Sequence, residues 1–578
     1  MSDRRTIARV LEEIARRLAI SESNPFKAKA YEKAARAVAG ATGPVDEWIA
    51  SGEMEQTPGI GKATAGVIRE LASTGRSSYL EELKGAQPEG LLELLRVPGL
   101  GAKKIAILQE ALGVDSREAL EEAASSGRIA SVKGFGPRGQ QKILDSLREL
   151  RETGDRWLLP VALDVAESLR LAISKVPAAD AVEIAGSVRR RLETVGEIDI
   201  LVVSSRPASA IAEIRRLGIL GDPVVEGEVL RGRGAGEIPV RITVSAWKEA
   251  GLRLLLTTGS EEFVRRVEEL AREKSGKGSS QQGEDGRKSV SAAEKGVFKA
   301  LGIPFVPPEL RESADAAGRR APSKLISARD IKGVFHVHTA YSDGRAPVAE
   351  MVEAAVERSW QYVGISDHSP AAYYARGLKI DDLRSQQSEI DREARARPEI
   401  RIFKGTEADI LAGGEIDYGP EVLAGFDFVV ASIHSRFGME KDEMTERIVR
   451  AIHNPFVTFL GHMTGRLLLS RKGYSVDFDR VFDAAAEKGV MIEINGSPRR
   501  LDLDWRWMKR ALDRGVTFSI HPDAHSVEEM KYVEWGCFAA RKGGLEAAHV
   551  FNTRDVEQVR DHLAKRKRRA AGEGKSPA

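Results

Sequence analysis

Hydrophobic and polar residues recur along this chain with two different periods. Up to residue 150, Ala, Leu and Ile recur among Glu, Lys and Arg at helical spacing, which predicts a succession of amphipathic helices. From residue 331 onward, seven short apolar runs alternate with helical stretches over about 240 residues, which predicts a parallel β/α barrel. The seven predicted strands are VFHVH (334–338), YVGISDH (362–368), RIFKGTEADI (401–410), FDFVVASIH (426–434), FVTFLGH (456–462), VMIEIN (490–495) and VTFSIHPDAH (516–525).

The composition narrows the class of protein. A chain of 578 residues, 42% hydrophobic and 30% charged, is typical of a soluble protein with several domains. No apolar run reaches the ~18 residues of a membrane span, so no membrane contact is expected. The single cysteine, Cys537, excludes an intramolecular disulfide framework and favours the cytoplasm. The net charge of +2 is too small to indicate nucleic acid, so any such prediction must rest on local motifs.

Three glycine-rich turns interrupt the N-terminal helices. They read PGIGK, PGLGAK and KGFGPR, at spacings of about 40 and 35 residues. Paired glycines permit a tight hairpin whose backbone N–H groups lie at a helix N-terminus, an arrangement that binds phosphate, and lysines add sequence-independent attraction to DNA. One copy would be explained equally well as a helix–helix turn, but three copies favour DNA binding. The candidate DNA-binding residues are Gly59, Gly61, Lys62, Gly99, Gly101, Lys103, Gly134 and Gly136.

The segment VEIAGSVRRRLETVGEIDILVV contains a candidate phosphoryl-transfer site. Gly186 and Ser187 follow one predicted strand, and Glu197 and Asp199 lie on the next. Alternation along a strand puts the two carboxylates on the same face, where they could hold divalent ions such as Mg²⁺. Glycine, serine and the adjacent arginines could receive a triphosphate.

The histidines form a second group of candidate site residues. All ten lie at or after residue 336, and six of the seven predicted strands carry a candidate ligand at or just past the C-terminal end. In a β/α barrel those strand ends meet at one mouth, where active sites form. Imidazole and carboxylate together bind zinc, manganese or iron. The motifs that predict this metal centre are His336-x-His338, Asp367-His368, Glu407, His434, His462 and Asp523-x-His525.

Together these motifs resemble bacterial family X DNA polymerases. The three turns are similar to helix-hairpin-helix motifs, and Thr258-Gly259-Ser260 and the run LGIPFVPPELRE after Ala300 match that family's polymerase part. The resemblance implies that the candidate nucleotide-binding residues are Gly186, Ser187, Arg190, Gly259 and Ser260, and that Glu197 and Asp199 are catalytic.

The chain departs from the family pattern at the polymerase site. The family uses three aspartates, and here the first is Glu197, the second is Asp199 and the third position is Pro239, which cannot bind a metal ion. Because two-metal catalysis depends on these carboxylates, we expect a weak or inactive polymerase. The usual thumb segment is replaced by the Gly/Ser/Gln-rich residues 275–289, which we expect to be flexible.

The C-terminal set is similar to the PHP domain (polymerase and histidinol phosphatase). This resemblance adds Asp343 and implies nine ligands around as many as three Mn²⁺ or Zn²⁺ ions: His336, His338, Asp343, His368, Glu407, His434, His462, Asp523 and His525. It implies one ion held by His336, His338, Glu407 and Asp523. A second would be held by Glu407, His434 and His462, and a third by Asp343, His368 and His525. Arg436, Arg466 and Arg499 are candidate phosphate ligands.

The expected fold is multidomain, with an α-helical helix-hairpin-helix N-terminus, an α+β nucleotidyltransferase-like palm and a C-terminal parallel (β/α)7 PHP barrel. The predicted domains are 1–85 (helical, first hairpin), 86–150 (fingers-like, two hairpins), 151–248 (palm), 249–325 (thumb-like), 331–563 (barrel) and 564–578 (basic tail). The run KRKRR of that tail is either a disordered solubilising end or a DNA contact.

The principal hypothesis is a DNA repair enzyme. In it, Glu407, Asp523 and His434 carry a metal-dependent 3′–5′ exonuclease, with cleavage at abasic sites also considered, and gapped, nicked or 3′-ended DNA is the partner of a monomer. Three alternatives remain open: an active gap-filling polymerase with an exonuclease, a small-molecule phosphoesterase of the histidinol-phosphatase type, and a noncatalytic DNA-binding scaffold.

Overall fold

The fold is described from a computed structural model. It describes residues 4–21, 25–40, 44–88, 90–95, 97–275, 289–319, 321–570 and 572. Two compact units divide the chain: Met1–Asp155 with Leu469–Arg471, and Arg156–Leu468 with Lys472–Ala578. Within the described ranges, no helix has the length and hydropathy of a membrane span. Residues 276–288 of the predicted flexible insert lie outside the described residues.

The first unit is helical, as the periodicity predicts. Its described portion is built from α1 (Arg4–Ile20), α2 (Pro25–Gly40), α3 (Val45–Ala50), α4 (Glu53–Gln56), α5 (Lys62–Thr74), α6 (Ser78–Ala86), α7 (Gly90–Leu94), α8 (Ala102–Leu112), α9 (Arg117–Ser125) and α10 (Gly136–Thr153). The apolar faces pack into two clusters. One draws on residues 7–80, and the other on Ile20 and residues 91–147.

Each predicted hairpin ends at the start of a helix. Gly61 and Gly101 are the N-caps of α5 and α8, and the glycines that open the three turns, Gly59, Gly99 and Gly134, have φ of 97°, 85° and 97°. A side chain is strained at such φ values, so glycine is required for this turn. The hairpins therefore present the helix N-termini expected of phosphate-binding turns.

The second unit begins with a mixed sheet. Its strands are β1 (Trp157–Leu158), β2 (Ala181–Ile184), β3 (Thr194–Val195), β4 (Ile198–Val203), β5 (Gly221–Glu226), β6 (Val229–Arg233) and β7 (Pro239–Ser245). Five of them form a sheet in the order β2-β4-β7-β6-β5, in which only β4 and β7 run parallel. The helices of this region and of the thumb-like region after it are α11 (Leu159–Ile173), α12 (Gly186–Arg189), α13 (Pro207–Arg216), α14 (Ala250–Thr258), α15 (Glu261–Ser275) and α16 (Val290–Ala300).

Seven parallel strands follow, and each coincides with one predicted from the apolar runs. They are β8 (Gly333–Val337), β9 (Tyr362–Ile365), β10 (Arg401–Asp409), β11 (Phe428–Ser432), β12 (Phe459–Leu460), β13 (Met491–Asn495) and β14 (Phe518–His521). They are joined in sequence order, and a parallel bridge between Val337 and Ala524 nearly closes the barrel. The predicted fold class is confirmed.

Helices surround this barrel. They are α17 (Val348–Glu357), α18 (Ile380–Ala396), α19 (Pro420–Leu423), α20 (Lys441–Ile452), α21 (Phe478–Lys488), α22 (Trp505–Asp513), α23 (Val533–Lys542) and α24 (Val556–Ala570). The run KRKRR lies in α24, so of its two interpretations the disordered end is wrong, while the DNA contact stays a prediction. Arg566 donates to the carbonyls of Lys488 and Gly489 at 3.1 and 2.9 Å, which fixes this helix against the barrel.

An aromatic cluster fills the interior of the barrel below the strand ends. Phe335 packs against Phe428 and Phe459, with ring centroids 4.8 and 5.0 Å apart. Two glycines make room for these rings, because a Cβ on Gly405 would come within 2.2 Å of Phe428 and one on Gly364 within 2.5 Å of Phe335. The carboxyl ends of the strands are therefore supported by a closely packed aromatic floor.

Candidate metal centre

The nine predicted ligands gather at the carboxyl ends of the barrel strands. His336 lies within β8, Glu407 lies near the end of β10, and the others follow strand ends or lie in the loops after them. Most are buried, while Asp343 is 36% exposed at the mouth. Three ligand positions, His336, His462 and Asp523, have φ of 62°, 21° and 52°. Such strained backbone clusters where the surrounding structure fixes side chains for function.

Glu407 is the centre of the group. Its Oε1 lies 3.2 Å from Nε2 of His336, 3.4 Å from Nε2 of His434 and 2.9 Å from Nε2 of His462. Its Oε2 lies 3.5 Å from Nε2 of His338 and 3.0 Å from Nδ1 of His368. One carboxylate thus faces five imidazoles. Each of its oxygens is directed at a separate set of nitrogens, so Glu407 would be a ligand shared by whatever ions this group holds.

Two further carboxylates complete the set. Oδ1 of Asp523 lies 3.4 Å from Nε2 of both His336 and His338. Oδ1 of Asp343 lies 3.6 Å from Nε2 of His368 and 3.4 Å from Nε2 of His525. Among the described residues, the groups of mutually close ligand atoms include His338-Asp343-His368-His525, His336-His338-Glu407, His336-His462-Asp523 and His368-Glu407-His434. His368 therefore joins two groups, and His462 groups with Asp523 as well as with Glu407.

The donor set fits divalent metal ions. Tetrahedral ligands about 2.1 Å from one ion are about 3.4 Å from each other, which is close to the separations around Glu407 and Asp523. Six buried imidazole nitrogens have no hydrogen-bond partner among the described residues, and five of them belong to predicted ligands: Nε2 of His336, both ring nitrogens of His338, Nδ1 of His368 and Nδ1 of His462. Buried polar atoms are normally satisfied, so this concentration of unsatisfied donors and acceptors indicates a metal site.

The charge states of His338 and of the carboxylates suit ligation. Burial and the neighbouring His525 and His368 lower the pKa of His338 to about 3, so its imidazole stays neutral with a free lone pair. Burial opposes ionisation of Glu407, but His336 and His434 hold its pKa well below the ordinary range. Burial raises the pKa of Asp343, but the hydrogen bond from His525 and the surrounding histidines together lower it to about 2. Metal binding requires neutral imidazole and ionised carboxylate, so an ion would displace the protons of His434 and His525, because burial lowers the pKa of each less than the nearby carboxylates raise it, to about 10 and about 9.

Two buried carboxylates, Glu493 and Asp409, contact the predicted ligands and orient them. Neither was identified from the sequence. Glu493 accepts from the backbone N–H of His462 at 2.6 Å, and its other oxygen lies 3.1 Å from Nδ1 of His521. Asp409 pairs with Nδ1 of His434. Both are strand residues with buried neighbours. The sequence did contain a signal for them, because each is an acidic residue inside an apolar strand. An unpaired charge is costly to bury, so such a residue is expected to have a partner.

Asp367, which the sequence motif placed beside His368 as a candidate ligand, has a different role. Its carboxylate accepts from the backbone N–H of Thr339 at 2.8 Å and from the amide of Gln386 at 2.5 Å. A hydrogen bond from the hydroxyl of Ser342 also reaches it. Asp367 therefore fixes the loop after β8 rather than facing the ligand group, because successive residues of an extended chain point to opposite sides.

The three arginines predicted to bind phosphate differ in their contacts and exposure. The guanidinium of Arg466 is engaged with the carbonyls of Arg500 and Leu501 and with Asp504, which argues against a phosphate role. Arg436 and Arg499 are exposed. Arg500, which the sequence motif did not single out, directs Nε toward Oδ2 of Asp523 at 3.4 Å and is 20% exposed.

The four histidines outside the motifs have neighbours within the barrel, and His521 also groups with His336 and Glu493 as a potential metal ligand. His521 is buried and packs its ring on Phe459 at 4.7 Å, with Nε2 2.8 Å from Oγ of Ser519. The Nδ1 atom of His453 lies 2.8 Å from the carbonyl of Val449, His549 caps a short helical turn, and His562 packs on Phe551.

Arginines occupy the space in front of the palm carboxylates. Nε of Arg241 lies 2.6 Å from Asp199, and its Nη2 lies 3.1 Å from Glu197. Arg231 lies 3.3 Å from the other oxygen of Glu197. The register of β4 with β7 sets Ile198 beside Val240, which puts Pro239 beside Glu197. All groups of three or more potential metal ligands found among the described residues lie in the barrel.

The predicted nucleotide-binding residues are likewise engaged in internal contacts. Arg190 donates to Glu312 at 2.9 Å and to the carbonyl of Thr258 at 2.7 Å. Ser260 donates through its hydroxyl to the carbonyl of Glu312 at 3.0 Å. Gly186 has φ of 60° and lies so close to Asp199 that a Cβ would approach the carboxylate to 1.9 Å. Ser187 lies beside Glu197, with its Oγ 3.5 Å from that residue's carbonyl oxygen.

Family models match most of these regions. A helix-hairpin-helix domain matches residues 2–77, a SAM-like helix-hairpin-helix tandem matches 91–149, a DNA polymerase beta thumb matches 253–312 and a PHP domain matches 335–497. These matches imply DNA binding by the N-terminal helices and metal binding by the barrel, in agreement with the sequence predictions.

Similar proteins cover the whole chain or the barrel alone. The DNA polymerase/3′-5′ exonuclease PolX of Bacillus subtilis (strain 168) is 34% identical over 570 residues, which is 97% of this chain and 99% of that protein. A probable phosphatase of Thermoanaerobacter sp. (strain X514) is 28% identical over 251 residues, 41% of this chain and 96% of the phosphatase. A probable phosphatase of Caldanaerobacter subterraneus is 26% identical over 257 residues.

Proposed function

This chain belongs to the PolX family of DNA polymerase/3′-5′ exonucleases, and on that premise we propose that it is a metal-dependent 3′–5′ exonuclease of DNA repair whose polymerase site is impaired. The observation that carries the proposal is the arrangement of imidazoles around Glu407 at the barrel mouth. Within the same proposal, the enzyme is a cytoplasmic monomer that acts on gapped, nicked or 3′-ended DNA.

Different barrel residues have different roles in phosphodiester hydrolysis. Bound divalent ions supply Lewis acidity toward the phosphate and a nucleophile at neutral pH. Glu407, Asp523 and His434 are the catalytic ligands that hold those ions in place. Arg500 lies beside Asp523 with part of its side chain exposed, so its guanidinium is placed to receive a phosphate oxygen. The aromatic floor beneath the ligands excludes water from below, which strengthens the electrostatic interactions above it.

The identity of the ions is part of the proposal. Imidazole and carboxylate ligands suit both manganese and zinc, and we assign up to three such ions to the nine residues around Glu407. The test is to strip the protein with a chelator, restore Mn²⁺, Zn²⁺ or Mg²⁺ singly, and compare nuclease rates with the ion content measured by elemental analysis.

Impairment of the polymerase is supported by the charges in the palm. Arg241 lies within ion-pair distance of both Glu197 and Asp199, so a Mg²⁺ ion would have to displace a guanidinium to reach them. The third metal-binding position is a proline, which offers no ligand atom. Loss of such electrostatic stabilisation typically removes most of the rate of phosphoryl transfer.

One gel assay tests both activities. Wild type, Asp199→Ala and His434→Ala are given Mn²⁺ and a labelled primer on gapped DNA, with and without dNTPs. We expect wild type and Asp199→Ala to shorten the primer, His434→Ala to leave it intact, and no variant to extend it. Extension by wild type that Asp199→Ala abolishes would show instead that Glu197 and Pro239 are tolerated and that this is an active gap-filling polymerase.

A second candidate function rests on the similarity of the barrel to the probable phosphatases, which it covers almost fully. In that case the substrate is a small phosphomonoester. A higher kcat/KM for a phosphomonoester than for a 3′-ended oligonucleotide would favour it over the exonuclease. Equal nuclease background in wild type and His336→Ala would favour a noncatalytic DNA-binding scaffold.

A further inference from the structure

We propose that Tyr373 and Tyr374 form a stacking platform that holds the terminal base of a DNA strand at the mouth of the metal centre. The inference rests on the proposed exonuclease function and assigns the residues that position its substrate. The two tyrosines lie in the loop that follows β9 and carries His368 at its start.

The side chains of both tyrosines are exposed to solvent. Tyr373 is 85% exposed and Tyr374 is 59% exposed, whereas most large apolar side chains of the barrel are buried. Tyrosine offers a broad apolar face that is normally covered, and exposed aromatic side chains commonly mark binding surfaces. Their centroids are 6.0 Å apart with planes at 80°, so the two rings present differently oriented faces.

The loop that carries them is fixed on both sides of the pair. The backbone N–H of Ala371 donates to Asp417 at 2.9 Å, and the N–H of Leu378 donates to the carbonyl of His368 at 2.8 Å. Ala372 and Ala375 on either side of the tyrosines are buried, at 0% and 1% exposure. The exposed rings are therefore presented by an anchored backbone, which lowers the entropy lost when a ligand binds.

One ring reaches the ligand group itself. The centroid of Tyr374 lies 6.4 Å from that of His368 and 6.3 Å from that of His434. Tyr373 lies on the outer side of the pair, with the more exposed ring of the two. A molecule seated on this platform is therefore adjacent to the atoms that would hold the metal ions.

The chemistry of this surface fits a nucleotide. A nucleotide joins a flat aromatic base to a phosphate, and here aromatic faces lie beside the candidate metal-ligand group, in which Asp523 is contacted by Arg500. Base–aromatic stacking tolerates any sequence, because every base has a π-face. An exonuclease needs that tolerance. A small phosphomonoester without a base would gain nothing from the platform, so the platform favours a nucleic-acid substrate.

The test compares substrates with and without a terminal base. Wild type, Tyr373→Ala, Tyr374→Ala and the double variant, each matched by its Phe counterpart, are assayed with Mn²⁺ on single-stranded oligonucleotides. These end either in a normal nucleotide or in a tetrahydrofuran abasic residue. We expect wild type and the Phe variants to prefer the intact terminus about tenfold in kcat/KM. The double Ala variant should process both substrates within twofold of each other.

A fluorescence measurement separates this inference from the proposed function. Oligonucleotides with 2-aminopurine as the terminal base are bound to His434→Ala protein, with and without the double Tyr→Ala change. Quenching that disappears with the tyrosines supports the platform, whether or not wild type degrades DNA. An unchanged substrate preference together with unchanged quenching would overturn the platform, and equal loss of activity on both termini would indicate a structural role. DNA degradation absent from wild type would refute only the exonuclease.

Discussion

The Nδ1 atom of His336 lies 2.5 Å from Oε1 of Glu493, although the two residues are 157 positions apart in the chain. This contact fixes the ring so that Nε2 faces Glu407 and Asp523. Metal-binding histidines typically donate their second N–H to such a carboxylate, which sets the tautomer and raises ligand basicity. Glu493 contacts His462 and His521 as well, so one buried side chain organises three histidines.

Glu493→Gln should weaken metal binding without removing a ligand. The amide retains the size of the side chain but loses the charge that fixes His336, and such outer-partner changes typically cost 10–100-fold in affinity. Mn²⁺ titration calorimetry on chelator-stripped protein measures this effect. Glu487→Gln, an exposed position on α21, is the matched control. Identical dissociation constants for the two variants would contradict the orienting role.

Metal ions should stabilise the barrel. Ions at a hundredfold excess over their dissociation constant contribute about 2.7 kcal/mol, which for a domain of this size raises Tm by about 5–10 °C. Thermal unfolding of stripped protein with and without Mn²⁺ measures the shift. His434→Ala should reduce it, while His453→Ala, an exposed position, should not. A Tm that does not respond to Mn²⁺ in wild type would exclude a structural contribution from the ions.

Glu294→Gln should destabilise the second unit. The Glu294 side chain has 0% exposure and pairs with Arg189 at 2.8 Å and with Arg311, itself fully buried, at 2.5 Å. Breaking such a buried pair leaves uncompensated charge and typically costs about 3–5 kcal/mol.

The matched control for that change is Glu228→Gln. Glu228 pairs with Arg253 at 3.0 Å, and both side chains are largely exposed, so we expect a cost of about 1 kcal/mol or less. Urea unfolding followed by tryptophan fluorescence compares the two variants. Equal midpoints would show that the buried network contributes no more than a surface pair.

The combined change Lys62→Ala and Lys103→Ala should weaken DNA binding equally for all sequences. Both lysines are exposed at hairpins that precede helix N-termini. If each neutralises one phosphate, the slope of log K against log salt should fall by about 1.8 in magnitude for duplex DNA. Fluorescence anisotropy over a range of KCl concentrations measures the slope. Lys84→Ala in α6 is the control, and a slope like that of wild type would argue against phosphate contacts by the hairpins.

Much of the architecture was predictable from local patterns. All seven barrel strands coincide with apolar runs, and the candidate ligands follow from polar residues placed at the ends of those runs. Parallel strands bring their carboxyl ends to one face, so residues distant in sequence were expected to converge there. The hairpins were predictable because only glycine readily adopts the positive φ that Gly59, Gly99 and Gly134 have.

The sequence by itself determined which residue types are available: strand-end histidines and carboxylates, paired glycines, and a palm with proline where the family has an aspartate. Only the tertiary structure decided which of them meet. Arg241 closes over Asp199 across 42 residues, Glu493 orients His336 across 157, and Asp367 turns toward the loop of Thr339. Such contacts depend on strand register and side-chain direction. Packing of the whole barrel and sheet sets both, and local periodicity in the sequence does not.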